Sequence, residues 1–338
     1  MPIRVTFICL AFAVLTGAYA QTPQVFAWPR AGVTDVDIDA SVPERLDREL
    51  KEKLPRVISL GIVRRGKLVY EYYKEGATAE TAVNVASVTK SVLALLVGIA
   101  LDKGVLKSVD QPITEFFPEL ATTDVDPKSR DILLRHLLSM SAGWQVDPND
   151  QPPFIALDAL KRRVTHAPGS TYQYDNATSH LIGIALSRAA GMSLEDFARV
   201  HLFEPLGIVN FNWGKDAQGH TQGWSFLRIT LADMLKLGQL VLDRGEWQGR
   251  RVVSSLWIRE MLTRRNAGGP HTNLPYGYQW YVYHTPDRQH EAVMGIGYGG
   301  QFLYVVPALQ LVIAKTQTRD QRFSDVAFLR EIVMKSLR

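Results

Sequence analysis

The stretch VISLGIVRRGKLVYEYY, residues 57–73, holds two runs rich in β-branched and aromatic residues, Val57–Val63 and Lys67–Tyr73, joined at Arg65-Gly66. Two such runs around a glycine-containing turn predict an antiparallel hairpin. The far end of the chain repeats the arrangement, with Phe302–Val306 and Gln310–Thr316 flanking Pro307-Ala308-Leu309. Outward from these hairpins lie two helical patterns. Ser41-Val42-Pro43-Glu44 reads as a capping box that opens a helix to about Lys53, and Val326–Leu337 is amphipathic. Between the ends helices dominate. Val88–Lys103 is apolar on nearly every face and stops at Gly104, which predicts a buried helix. His180–Ala190 stops at Gly191, and Thr230 caps a segment that runs to Asp243. The expected class is α+β, with one antiparallel sheet built from both chain ends (41–80 and 270–338), terminal helices over one face, and a mainly helical region at 81–269. Residues 41–338 are expected to form one unit behind a lead at 21–40.

Composition narrows the function. The chain has 338 residues, of which 46% are hydrophobic and 21% charged, so it is neither disordered nor collagen-like. Lys+Arg 38 against Asp+Glu 34 leaves a net charge of +4 with no extended basic tract, and nucleic acid is not an expected partner. Arg4, the apolar run Val5–Leu15 and Ala18-Tyr19-Ala20 predict a signal peptide over 1–20, cleaved before Gln21. That run is shorter than a membrane span, so a secreted or periplasmic protein with no stable span is expected. Cys9 is the single cysteine and falls inside the leader, so the mature chain is expected to have neither disulfides nor a cysteine metal site.

Three segments have residue types suited to chemistry. In Ser87-Val88-Thr89-Lys90 the serine enters the buried helix and the lysine follows three residues later on nearly the same face, within reach of the hydroxyl. Free N–H groups at that helix end favour developing negative charge, and an apolar setting lowers the lysine pKa toward a neutral, basic amine. The plain alternative makes Ser87 an N-cap and Lys90 a surface lysine. In Tyr174-Asp175-Asn176, just before the helix expected near Thr178, a tyrosine beside an ammonium could relay protons and an amide could hold a substrate carbonyl. The alternative is an Asx cap with a packed tyrosine. Gly295-Ile296-Gly297-Tyr298-Gly299-Gly300-Gln301 matches G-x-G-x-x-G, but a strand follows where a dinucleotide site needs a helix. Its glycines would instead let a substrate or another backbone approach closely, with N–H groups as oxyanion donors. The histidines show no H-E-x-x-H or other metal-ligand spacing, and no cofactor is implied. Trp144, Trp224, Tyr276 and Trp280 could line a pocket, though core packing is the commoner role of such side chains.

Taken in this order, the three segments resemble those of the serine β-lactamase and penicillin-binding-protein superfamily, whose signatures include S-x-x-K. The likeness is greatest to the class C β-lactamase-related branch, with its serine esterases of the family VIII type and 6-aminohexanoate-dimer hydrolases. Flanking stretches are similar too, among them Leu106–Pro112, His136–Gly143, Ala167-Pro168-Gly169 and Tyr276–Trp280, and the resemblance spans about residues 45 to 335. It implies a β-lactamase/transpeptidase-like fold and an acyl-enzyme mechanism on a small ester, amide or short peptide-like substrate. By position, Ser87 would be the nucleophile, Lys90 and Tyr174 the proton-transfer groups in either order, and Asn176 a substrate ligand. Gly295 and Gly297 would stand in the K-T-G place. The oxyanion hole would be the N–H of Ser87 with that of Tyr298, or of Gly300 if the register moves. The branch's K-T-G is missing, and Lys315-Thr316-Gln317 lies one strand too late to replace it. Loss of that lysine is expected to open the pocket and to disfavour carboxylate-bearing lactams and peptides. The resemblance therefore implies an esterase or amidase first. A weak β-lactamase or D-Ala-D-Ala peptidase comes second, and a binding or sensor protein without turnover third. Oligomeric state is not indicated.

Overall fold

A computed structural model of the chain describes residues 26–122, 124–146, 155–269, 272–285 and 288–318. The expected leader and the helix expected at Val326–Leu337 lie outside the described residues. The helices are α1 (Val42–Glu52), α2 (Val88–Asp102), α3 (Leu134–Leu138), α4 (Asn176–Ala190), α5 (Leu194–Ala198), α6 (Leu231–Leu242) and α7 (Ser255–Met261). The strands are β1 (Val57–Arg64), β2 (Lys67–Tyr73), β3 (Val83–Asn84), β4 (Asn212–Trp213), β5 (Leu227–Ile229), β6 (Glu246–Trp247), β7 (Arg250–Arg251), β8 (Tyr281–His284), β9 (Glu291–Gly297), β10 (Gln301–Val306) and β11 (Leu311–Gln317).

The main sheet has six strands in the order β2-β1-β11-β10-β9-β8, all antiparallel. The first hairpin turns at Arg65 and Gly66, both at positive φ, which matches the right-handed twist of the strands it joins. The two chain ends meet along β1 and β11, where Leu60 faces Lys315 and Ile62 faces Ile313. Alternation then divides the side chains between two layers. Leu60, Ile62, Phe302, Tyr304 and Ile313 pack with Val42, Leu46 and Leu50 of α1. Val63, Leu303, Val305, Val312 and Ala314 join the larger core with α2 and α6. Burying each of the α1 side chains contributes on the order of 1.5–3 kcal/mol, which outweighs the loss of the expected capping box. Ser41 does precede α1, but its hydroxyl bonds Asp39 Oδ1 at 2.7 Å and makes no side-chain cap.

Close helix–sheet approach depends on two glycines. A Cβ at Gly61 would lie 2.7 Å from Leu235 Cδ1, and one at Gly238 would overlap Val312. α6 therefore sits almost on the strands and forms a floor beside α2. A second small sheet, in the order β3-β5-β4, lies within the region read as helical. Val85 N–H donates to the Leu227 carbonyl at 2.9 Å, so this sheet pins the chain just ahead of Ser87 to the segment that follows Trp224. Among the described residues, no helix is long and apolar enough to cross a membrane.

Candidate active site

Ser87 stands at the N-cap of α2, where a tight turn presents it. Asn84 Oδ1 accepts the Ala86 N–H at 2.9 Å, and Thr89 Oγ1 donates to the Ala86 carbonyl at 2.6 Å. Between these two bonds Ala86 is held at φ 48°, a left-handed conformation that a residue with a Cβ adopts at a cost. The turn leaves Ser87 half-buried, and its N–H lies ahead of any intrahelical acceptor.

Two side chains converge on it. Ser87 Oγ lies 2.9 Å from Lys90 Nζ and 2.9 Å from the Tyr174 hydroxyl. Lys90 is 1% exposed, so it is not the surface lysine of the plain alternative. Its ammonium also donates to Asn176 Oδ1 at 2.8 Å and to the Trp224 carbonyl at 2.9 Å, and it sits over the Tyr174 and Trp224 rings. Burial pushes the Lys90 pKa down, against the opposing influence of Tyr174 and of the Asp175 charge. The result is an amine that sheds its proton more readily than a free lysine, beside a hydroxyl that could give one up.

α4 supplies the second segment and starts at Asn176, two residues earlier than expected. Asp175 is its N-cap, accepting from Ala177 N–H at 3.0 Å and from Thr178 N–H at 3.3 Å, and it pairs with Arg162 at 3.0 Å. The capping reading and the site reading of this tripeptide thus hold together. The cap fixes the backbone, and the flanking Tyr174 and Asn176 reach Ser87 and Lys90. Asn176 belongs to a glycosylation sequon, but its amide oxygen is engaged by Lys90.

The third segment forms the end of β9 and the turn into β10. β8 pairs with β9 only from Glu291 to Met294, so among the described residues no strand lies along that edge of β9 from Gly295 onward. Gly295 and Gly297 face α2. A Cβ at Gly295 would lie 2.7 Å from Ser91 Oγ and 3.3 Å from Val88 Cγ1, and one at Gly297 would overlap the Val85 carbonyl oxygen. The expectation that Gly295 opens the pocket is therefore corrected. The space a side chain would occupy is filled by the first turns of α2, and the glycines bring β9 against the Ser87 turn. Gly300 N–H bonds the Gly297 carbonyl at 3.1 Å inside the turn, which engages one of the two candidate donors. With the Gly297 carbonyl turned toward β10, strand alternation directs the Tyr298 N–H to the open edge. Lys315 is buried within β11, its Nζ on Gln317 Oε1 at 2.8 Å and over the Phe302 ring.

Of the aromatic candidates, Trp144 and Trp280 are core residues whose indoles bond Ser129 Oγ and the Ser91 carbonyl, and Tyr276 is buried at 1% exposure. Trp224 alone meets Lys90, chiefly through its backbone carbonyl. Sequence reading had no signal for that carbonyl, because any residue supplies one. Arg162 was likewise missed, since its partner Asp175 lies across a loop. Gln279 ties the surroundings together. Its side chain accepts from Ser179 Oγ at 2.8 Å and donates to the Leu138 carbonyl at 2.9 Å, while its own carbonyl accepts from Ser91 Oγ at 3.0 Å.

A family model described as Beta-lactamase matches residues 46–335. The 6-aminohexanoate-dimer hydrolase of Paenarthrobacter ureafaciens is 25% identical over 86% of this chain and 79% of its own length. Among solved structures, a family VIII carboxylesterase superposes with a TM-score of 0.71 at 17% identity, covering 88% of this chain and 97% of its own. A penicillin-binding protein homologue from Caulobacter crescentus gives 0.73 at 17% identity, with 88% and 97% covered. The chain belongs to the beta-lactamase family, and its antiparallel sheet with flanking helices is the β-lactamase/transpeptidase-like fold.

Proposed function

We propose that this member of the beta-lactamase family is an exported serine hydrolase that cleaves an ester or amide bond through an acyl-enzyme on Ser87. The observation that carries the reading is the convergence of Lys90 Nζ and the Tyr174 hydroxyl on one oxygen, each at 2.9 Å. Ser87 Oγ attacks the substrate carbonyl while its proton passes to the Lys90/Tyr174 pair. The tetrahedral oxyanion is met by the N–H groups of Ser87 and Tyr298; the alternative donor, Gly300, is already bonded to Gly297. Collapse breaks the bond to the leaving alcohol or amine, which takes the proton back from the pair. Water then enters, gives a proton to the same pair, attacks the acyl carbon and releases the acid as Ser87 recovers its proton. Asn176 holds the acyl amide or carbonyl and keeps Lys90 in place.

The substrate preference follows from the third segment. A glycine stands in the K-T-G lysine position and is packed against α2, so no ammonium projects there to hold a substrate carboxylate. Neutral acyl groups are favoured over β-lactams and D-Ala-D-Ala peptides. The names of the relatives, which include a dimer hydrolase, a carboxylesterase and beta-lactamases, support a hydrolase. Export rests on the leader pattern in residues 1–20.

The test is a time course of short-chain p-nitrophenyl ester hydrolysis by the mature chain and by Ser87→Ala, with nitrocefin and a D-Ala-D-Ala peptide run alongside. Multiple turnovers on the esters that vanish in a folded Ser87→Ala support the reading. Turnover that survives the substitution overturns it. A stable mass adduct on Ser87 without turnover makes the protein a sensor instead.

A further inference from the structure

One turn beyond Asn176, α4 carries His180, a buried titratable side chain that no step above uses. Its Nε2 lies 3.0 Å from Asp216 Oδ2, and its Nδ1 accepts the Gly223 N–H at 3.4 Å. Those roles fix the tautomer: Nδ1 is the acceptor, so the proton is on Nε2 and goes to the carboxylate. Burial holds the His180 pKa below the ordinary histidine value against the opposing pull of Asp216, which agrees with a neutral ring. Asp216 is itself built in. Its Oδ1 accepts the N–H groups of Gln218 at 2.9 Å and His220 at 2.8 Å, and its Oδ2 lies 3.2 Å from His220 Nδ1.

What this network holds is the peptide leading to Trp224. Gly223 is pressed onto α4, where a Cβ would lie 2.8 Å from the Ser179 carbonyl and 3.4 Å from Gly183 Cα. The next residue offers the carbonyl that accepts from Lys90 at 2.9 Å. α4 thus contacts Lys90 twice, directly through Asn176 and indirectly through His180, Gly223 and Trp224.

We propose that His180, oriented by Asp216, is a positioning residue that locks the Gly223–Trp224 segment through the Gly223 N–H so that the Trp224 carbonyl holds Lys90 Nζ against Ser87. This rests on the reading of Lys90 as a proton-transfer group. A histidine that only stabilises the loop would affect melting but not the reactivity of the folded enzyme.

The experiment compares wild type with His180→Phe, His180→Asn and Asp216→Asn, each well below its melting temperature. Two rates are read: labelling of Ser87 by a fluorophosphonate, followed by intact mass, and steady-state kcat and KM on p-nitrophenyl butyrate. A misplaced amine costs on the order of 10- to 100-fold in both labelling and kcat for His180→Phe, with KM within about twofold. His180→Asn keeps an acceptor near the Nδ1 position and recovers most of that loss. Wild-type labelling and kcat in a folded His180→Phe overturn the proposal. Should His180→Phe fail to fold, Asp216→Asn decides: it retains size and the Oδ1 acceptor, and an undiminished rate overturns the proposal just as firmly. A folded wild type that is never labelled removes the acyl-enzyme reading itself and the proposal with it, which separates the two failures.

Discussion

Lys90 donates to the backbone carbonyl of Trp224 at 2.9 Å, so the amine beside Ser87 is held by a peptide group 134 residues further along the chain. A carbonyl, an amide oxygen and a serine hydroxyl surround the amine, with no carboxylate in direct contact among the described residues. Such partners orient an amine without the full stabilisation of its charge that an ion pair would give.

The pH dependence of acylation follows from that environment. Burial lowers the Lys90 pKa, so the neutral amine is present above a folded-state pKa lying below the ordinary 10.5 and is lost as pH falls through it. kcat/KM on a p-nitrophenyl ester should therefore rise with pH along an acid limb below 10.5. Lys90→Ala should cost about 10²–10⁴-fold and abolish that limb. An identical limb in the variant, at any residual rate, would assign it to another group.

Asp175 joins the site to the stability of the fold. Asp175→Ala removes the α4 cap and leaves Arg162 without this carboxylate; together these should cost about 2–4 kcal/mol in urea unfolding. Asp175→Asn keeps a capping oxygen and loses the ion pair, so its cost should be smaller. Equal losses in the two variants would mean that the cap contributes nothing and that the ion pair accounts for the whole loss.

What the sequence showed of this site, and what it concealed, divides along physical lines. Ser87, Lys90, Tyr174 and Asn176 were legible because each belongs to a local pattern at a helix start, and all four meet through side chains at Ser87 Oγ or Lys90 Nζ. The sheet was legible at its two terminal hairpins, where β-branched alternation is plain, and β8 and the start of β9 were not: Tyr281–His284 is only four residues long. The strands β3, β4 and β5 are two or three residues long and carry no periodicity to detect. Trp224 could be seen only as an aromatic, whereas its contribution is a carbonyl. The strain at Ala86 came from two side-chain bonds whose partners lie within three residues, a pattern common to many turns. Gly295 was misread because a missing side chain suggests space, and only the packing of Ser91 shows that the space is occupied.

That packing makes a direct test. Gly295→Lys would restore the first residue of a K-T-G-like segment, but its Cβ would meet Ser91 Oγ at 2.7 Å, and Ser91 is buried and bonded to the Gln279 carbonyl. Overpacking of this kind costs about 1–3 kcal/mol. The single variant should melt earlier and gain no nitrocefin hydrolysis. Adding Ser91→Ala should recover much of the lost stability. A stable single variant with new lactamase activity would show that the lysine finds a route past α2.

The oxyanion donor can be separated from its side chain. Tyr298 is half-exposed, and its N–H faces the edge of β9 that no strand covers among the described residues, so Tyr298→Pro removes that donor without breaking a ladder bond seen there. Loss of one oxyanion donor costs on the order of 10²–10³ in kcat. Tyr298→Pro should therefore lose that much, whereas Tyr298→Ala, which keeps the N–H, should remain within severalfold of wild type in kcat while altering KM for aromatic esters. The comparison is steady-state kinetics on p-nitrophenyl and benzoyl esters, with melting curves to confirm folding. Equal kcat losses in the two variants would place the contribution in the ring rather than in the peptide, and near-wild-type kcat in Tyr298→Pro would move the second donor elsewhere along the turn.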